Sequence, residues 1–203
     1  MTSAFLIRWL KLLLIIILAA AANSGINFLC VNIIKVPLFL DTVFTAAITF
    51  SLGLIPGLSV AVSAMLLLNI YYNSINPYIL CSIAEVLLIW ALKPADPEIT
   101  KFATKEKIIA SYTGVAAKLM LLYIVCAISI SVLGGVINYV SDMIRGPSLY
   151  YSPEDVFKLG FIMSDLPALA VNILSRIPVN LVDRFIVIFG GYFISRGIVK
   201  LME

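Results

Sequence analysis

The chain has no histidine among its 203 residues. That absence removes HExxH zinc sites, Ser-His-Asp triads and histidine proton relays together, because each needs an imidazole as ligand or base. Charge is scarce too, at 12% of residues against 62% hydrophobic. A mean hydropathy of +1.09 is far above what a water-exposed surface allows, and the composition is that of a membrane protein. Cysteine is limited to Cys30, Cys81 and Cys126, scattered through apolar runs with no C-x-x-C spacing. These read as small buried hydrophobes, not as a disulfide framework or a metal site. No G-x-x-x-x-G-K-[ST] loop occurs, so this chain does not hydrolyse ATP through a P-loop. No catalytic residue, metal, cofactor or nucleic-acid partner is expected.

What is present is a series of apolar runs. At ~20 residues per spanning helix, a chain of 203 residues holds about six passes and no hidden soluble domain. The expectation is one all-α integral-membrane domain over 1–203, with helices at 5–31, 39–54, 58–72, 78–92, 108–137 and 179–201. The basic start and "AAAANS" of the first run also fit a signal peptide. The apolar run continues beyond that point to Phe28 and Leu29, and a retained helix is the stronger reading. Ile55-Pro56-Gly57 and Asn73-Ser74-Ile75-Asn76-Pro77 read as turns between antiparallel helices. The stretch 138–178 is of mixed hydropathy and reads as an ordered loop with short helices, one starting at Ser152-Pro153-Glu154-Asp155 and another boundary at Ser164-Asp165-Leu166-Pro167.

Basic residues set the orientation. With the N-terminus inside, Arg8, Lys11, Lys93, Lys101, Lys105, Lys107, Arg196 and Lys200 fall on the cytoplasmic side, and Lys35, Arg145, Lys158, Arg176 and Arg184 outside. Eight against five favours both termini in the cytoplasm and the long loop outside.

Polar groups within a bilayer cost ~2.5 to 3.5 kcal/mol when charged at mid-helix, so each needs a reason. Thr42, Thr45 and Thr49 share a helix face with Asp41 on its edge. That stripe fits either a helix start, with Asp41 complementing the dipole, or a ligand contact. Asn69, Asn73 and Asn76 repeat the spacing beside Tyr71, Tyr72 and Tyr78, aromatic rings of the kind found in interfacial belts. Asn180, Asp183 and Arg184 open the last run and could pair with loop acids such as Asp165. In the expected topology Asp41, Asn69, Asn180 and Asp183 gather in the outer half beneath the long loop, as a small-molecule pocket requires. Glu85 lies eight residues from Lys93, and Lys118 eleven from Lys107. Both therefore sit roughly 12 to 16 Å from the inner edge, and a buried Glu85–Lys118 ion pair is expected, with Lys118 snorkelling to the inner surface as the alternative. On the first helix, Ala20 with Ser24 and Ala21 with Gly25 are small-x-x-x-small pairs, suited to close packing within the chain or to another membrane subunit.

The run "PLFLDTVFTAAITFSLGLIPGLSVAVSAMLLLN" and the closing "IPVNLVDRFIVIFGGYFISRGIVK" resemble the substrate-binding S components of energy-coupling factor (ECF) transporters. The resemblance implies uptake of a vitamin or related micronutrient, bound at the extracellular side under loops. It implies separate partners, a transmembrane T component and two ATPase subunits, in the plasma membrane of a bacterium. It gives Ala20, Ala21, Ser24 and Gly25 a role in docking the T component. It points to Asn180, Asp183, Tyr150, Tyr151 and Asp165 as pocket residues, with Asp41 and Asn69 as further candidates. The S component of that family topples in the membrane, which would make a rigid apolar exterior a functional property. The nickel and cobalt branch uses a Met-His ligand set, which a chain without histidine cannot supply. The alternative is a transmembrane ligand-sensing domain of a bacterial signalling protein, which has nearly the same hydropathy. An integral-membrane enzyme is disfavoured by the lack of histidine and of any D-x-x-D cluster.

Overall fold

The structure is a computed structural model that describes residues 2–36, 38–95, 105–146, 155–162 and 165–202. All regular structure among these residues is helical. α1 (Thr2–Phe28) runs on through a π-helical turn, Leu29–Ile34, and stops where Lys35 takes a left-handed φ of 57°. α2 (Val43–Leu52) and α3 (Leu54–Tyr72) meet at Gly53, whose φ of 91° favours glycine. The turn expected at Ile55-Pro56-Gly57 therefore lies earlier. Pro56 sits in the first turn of α3, where a missing N–H removes no helical bond. Asn73, left-handed at φ 47°, ends α3, and its amide and that of Ser74 close onto Ile70 and Asn69 carbonyls.

α4 (Ile79–Leu92) is followed by α5 (Lys105–Arg145), α6 (Asp155–Ile162), α7 (Ala168–Leu174), α8 (Arg176–Phe185), a second π-helical turn (Ile186–Gly190) and α9 (Gly191–Met202). α5, expected at 108–137, has 41 residues and is ~60 Å long. The last helical run begins at Ala168 instead of 179, because α7, α8 and α9 follow one another almost without a break.

Four helical stretches, Phe5–Ile34, Leu54–Tyr72, Lys105–Ile144 and Ala168–Met202, are long and apolar enough to cross a membrane. The expected spans at 39–54 and 78–92 correspond to shorter apolar helices, Val43–Leu52 and Ile79–Leu92. At ~1.5 Å per residue neither covers the ~30 Å of a hydrocarbon core. α2 starts at Val43 instead of 39 because Leu40 has a positive φ of 44° and the amides before it bond elsewhere.

α2 is the hub. It packs against α9, α3, α1 and α4, while α5 lies against α4, α7 and α8. Val43 and Ala46 join Ile89, Leu122, Cys126, Val187 and Ile188 in one apolar cluster. Ile48 joins Ala19, Ala20, Val60 and Ala64 in a second. Close approach depends on small residues. A Cβ on Gly191 would stand 2.8 Å from the Ala46 Cβ and 3.1 Å from the Ala47 backbone nitrogen, so α9 touches α2 only because residue 191 has no side chain. The opposite side of α1, from Phe5 through Leu18, exposes large apolar side chains.

Candidate functional site

The polar residues of the interior fall into two groups. The first centres on Arg184, which is 4% exposed although it carries a full charge. α8 places it between α4 and the connection 35–42. Its Nη1 donates to Glu85 Oε2, an ion pair, and to Thr42 Oγ1 at 2.9 Å. Its Nη2 lies 2.7 Å from Asp183 Oδ2, an ionic contact, and 4.0 Å from Asp41 Oδ1. Glu85 and Asp183 are both fully buried. One guanidinium thus faces three carboxylates. Glu85 Oε1 and Arg184 Nε have no hydrogen-bond partner.

Asp183 also works on the backbone. Its Oδ1 accepts from the amides of Phe39 at 3.1 Å and Leu40 at 2.8 Å. Asn27 donates to the Phe39 carbonyl, and Asn23 accepts from the Phe44 amide while donating to Thr45 Oγ1. These bonds replace those a helix would have made within the irregular stretch before α2. Buried main-chain polar groups without such partners would be costly, and that cost accounts for Asp183, Asn23 and Asn27 in apolar surroundings. The threonine face of α2 is likewise consumed by packing. Thr42 holds Arg184, Thr45 holds Asn23, and the Thr49 hydroxyl returns to the Thr45 carbonyl.

The expected Glu85–Lys118 pair is not formed. Glu85 takes Arg184 as its cation, and Lys118 is exposed on the outer side of α5. Equal depth along two helices did not bring the side chains together, because they occupy different faces. Asn180 is buried and donates to Ser131 Oγ at 3.0 Å. Asn69 binds the Asn76 amide across the α3–α4 turn. Ala20 is buried and Ser24 donates to the Ala64 carbonyl, so this pair serves α1–α3 contact, whereas Ala21 and Gly25 are exposed.

The second group lines a cavity of about 500 Å³ among the end of α5, α6 and α7. Met143, Ile162, Leu166 and Val171 give it apolar walls, and Asp142, Lys158, Asp165 and Asn172 its polar points. Lys158 Nζ is 2.9 Å from Asp142 Oδ2, which ties the short helix α6 down onto α5. Asn172 Oδ1 accepts from Asn138, whose own oxygen accepts from the Tyr78 hydroxyl. Tyr78 in turn receives Arg176 Nη2 at 2.6 Å, and the Arg176 guanidinium stacks 4.7 Å from its ring centroid. This series of bonds runs from the cavity wall to α4.

Of the residues expected to bind ligand, Asp165 lines the cavity. Asp41 and Asp183 belong to the Arg184 cluster, and Asn180 and Asn69 bond elsewhere within the chain. Tyr150 and Tyr151 lie outside the described residues, as do Ser152, Pro153 and Glu154. Sequence reasoning missed Asp142, Lys158 and Asn172. An acid and a base sixteen positions apart on either side of a loop were the available signal for the Lys158–Asp142 pair. Among the described residues, no group of three His, Cys, Asp or Glu side chains has a geometry that could hold a metal ion. No family model, curated protein or solved structure matches the chain.

Proposed function

We propose that this chain is the small-molecule binding subunit of an ECF-type uptake system: a six-pass protein of a bacterial plasma membrane, with both termini in the cytoplasm. The observation that carries the reading is the cavity of about 500 Å³ beside α6. Ligand sites typically measure ~300 to 1,000 Å³ and combine apolar walls with a few convergent polar groups. Here Lys158, Asp142, Asp165 and Asn172 supply that polarity against Met143, Ile162, Leu166 and Val171. The ligand in this reading is a vitamin-sized organic compound, held with α6 as cover and not transformed.

The resemblance of "PLFLDTVFTAAITF" and "VNLVDRFIVIFGG" to S components supplies the partners: a transmembrane T subunit and two ATPases from other chains. The exposed Ala21 and Gly25 on α1 are compatible with close approach of a neighbouring helix. The short helices α2 and α4 would complete six passes with the irregular segments beside them, which bond within the protein as backbone at membrane depth must.

The test is mass spectrometry of small molecules that co-purify with the detergent-solubilised protein, compared with Ala168→Trp, which fills the cavity from its exposed rim. One compound bound near stoichiometry to the parent protein and lost from the variant is the expected result. An empty parent protein, or a variant that retains the compound, would refute the site.

A further inference from the structure

The Arg184 cluster is not explained by ligand binding at the cavity. Arg184 supplies one positive charge, and two fully buried carboxylates, Glu85 and Asp183, already face it. Glu85 engages Nη1, and Asp183 sits on Nη2 while its other oxygen holds two backbone amides. Asp41 comes third. It reaches Nη2 only at 4.0 Å and is 17% exposed against 0% for Glu85 and Asp183. If ionised, it would add a second uncompensated negative charge to an interior that already has one. Such a charge is neutralised more cheaply by taking up a proton than by solvation.

We propose that the Asp41 carboxyl is an exchangeable proton-binding site built on the Arg184 cluster, whose occupancy decides how Arg184 Nη2 is shared between Asp41 and Asp183. The step is a simple ionisation. The O–H bond of the acid breaks, the proton leaves to water at the accessible edge of Asp41, and the electron pair remains on the carboxylate. With the proton on, Nη2 belongs to Asp183, and Asp183 Oδ1 holds Phe39 and Leu40. With the proton off, Asp41 competes for the same nitrogen, and the tie on the 35–42 connection loosens.

The groups around Asp41 are Arg184 and Asp183 from α8 and Glu85 and Cys81 from α4; Cys30, from the π-helical turn after α1, faces Asp183. Asp41 lies in the connection, outside the helices. Glu85 Oε1, fully buried with no partner, is a second sign that the cluster carries more acceptor capacity than the chain satisfies.

Infrared spectroscopy of the full chain in detergent, across buffers from mildly acidic to mildly alkaline, tests the site. The expected result is a protonated-carboxyl C=O band that disappears as the buffer becomes alkaline, shifts on isotopic labelling of aspartate, and is missing in Asp41→Asn. The isotope arm uses the parent protein and holds even if the variant folds poorly. A parent protein with no aspartate band titrating above the ordinary carboxylate range, or a band that survives in Asp41→Asn, makes the cluster a permanent ionic structure and overturns the proposal.

Discussion

Replacing Arg184 by Gln should cost more stability than replacing any of its carboxylate partners. The side chain touches two fully buried acids and Thr42. Its loss leaves Glu85 with no cation, and Asp183 with only the two backbone amides of Phe39 and Leu40. Breaking a buried pair by removing one partner costs about 3 to 5 kcal/mol, because the survivor remains desolvated and uncompensated. Glu85→Gln is milder, at about 1 to 3 kcal/mol, since Arg184 keeps Asp183 and the Gln oxygen still accepts from Nη1. The double variant Glu85→Gln/Arg184→Gln should recover part of the Arg184→Gln loss, as only Asp183 is then a buried charge without a cation. Lys118→Gln should change stability by less than ~0.5 kcal/mol, as the residue is exposed. Equilibrium unfolding in mixed micelles, followed by far-ultraviolet circular dichroism, gives the four values on one scale. If Arg184→Gln is no worse than Glu85→Gln, or if Lys118→Gln matches Glu85→Gln, Arg184 is not the cation that neutralises Glu85.

Other outcomes follow from the same geometry. Gly191→Ala should destabilise by about 1 to 3 kcal/mol, because its Cβ would meet the Ala46 Cβ and backbone atoms of α2 that cannot move aside; thermal melts in detergent measure this. Gly57→Ala should cost a similar amount through the Thr49 hydroxyl, and Thr49→Ala in the same chain should return part of it. Asp183→Asn should speed hydrogen exchange at the Phe39 and Leu40 amides while leaving mid-α5 protected, as read by peptide mass spectrometry.

The amino-acid order alone carried the helical class and the long apolar stretches, because composition and unbroken apolar runs are local properties. It also placed α4, expected at 78–92 and observed as Ile79–Leu92. It misplaced the α2–α3 turn, since Pro56-Gly57 is as compatible with a helix start as with a loop, and Gly53 carries the positive φ. Asp41 looked like either a helix start or a pocket rim. In the fold it stands just before Thr42, the cap of α2, on the edge of the Arg184 cluster, and the two residues before it are bound by Asp183, 143 and 144 positions away.

Which cation meets Glu85 was decided by tertiary structure. Spacing along a chain fixes how far down a helix a residue lies, and by that coordinate Lys118 matched. It does not fix the direction the residue faces in the bundle, and packing of α8 brought Arg184 across 99 positions to the buried face of α4. The cavity has the same origin. Asp142, Lys158 and Asn172 are unremarkable polar residues in sequence and become one wall only when α6 folds down between α5 and α7.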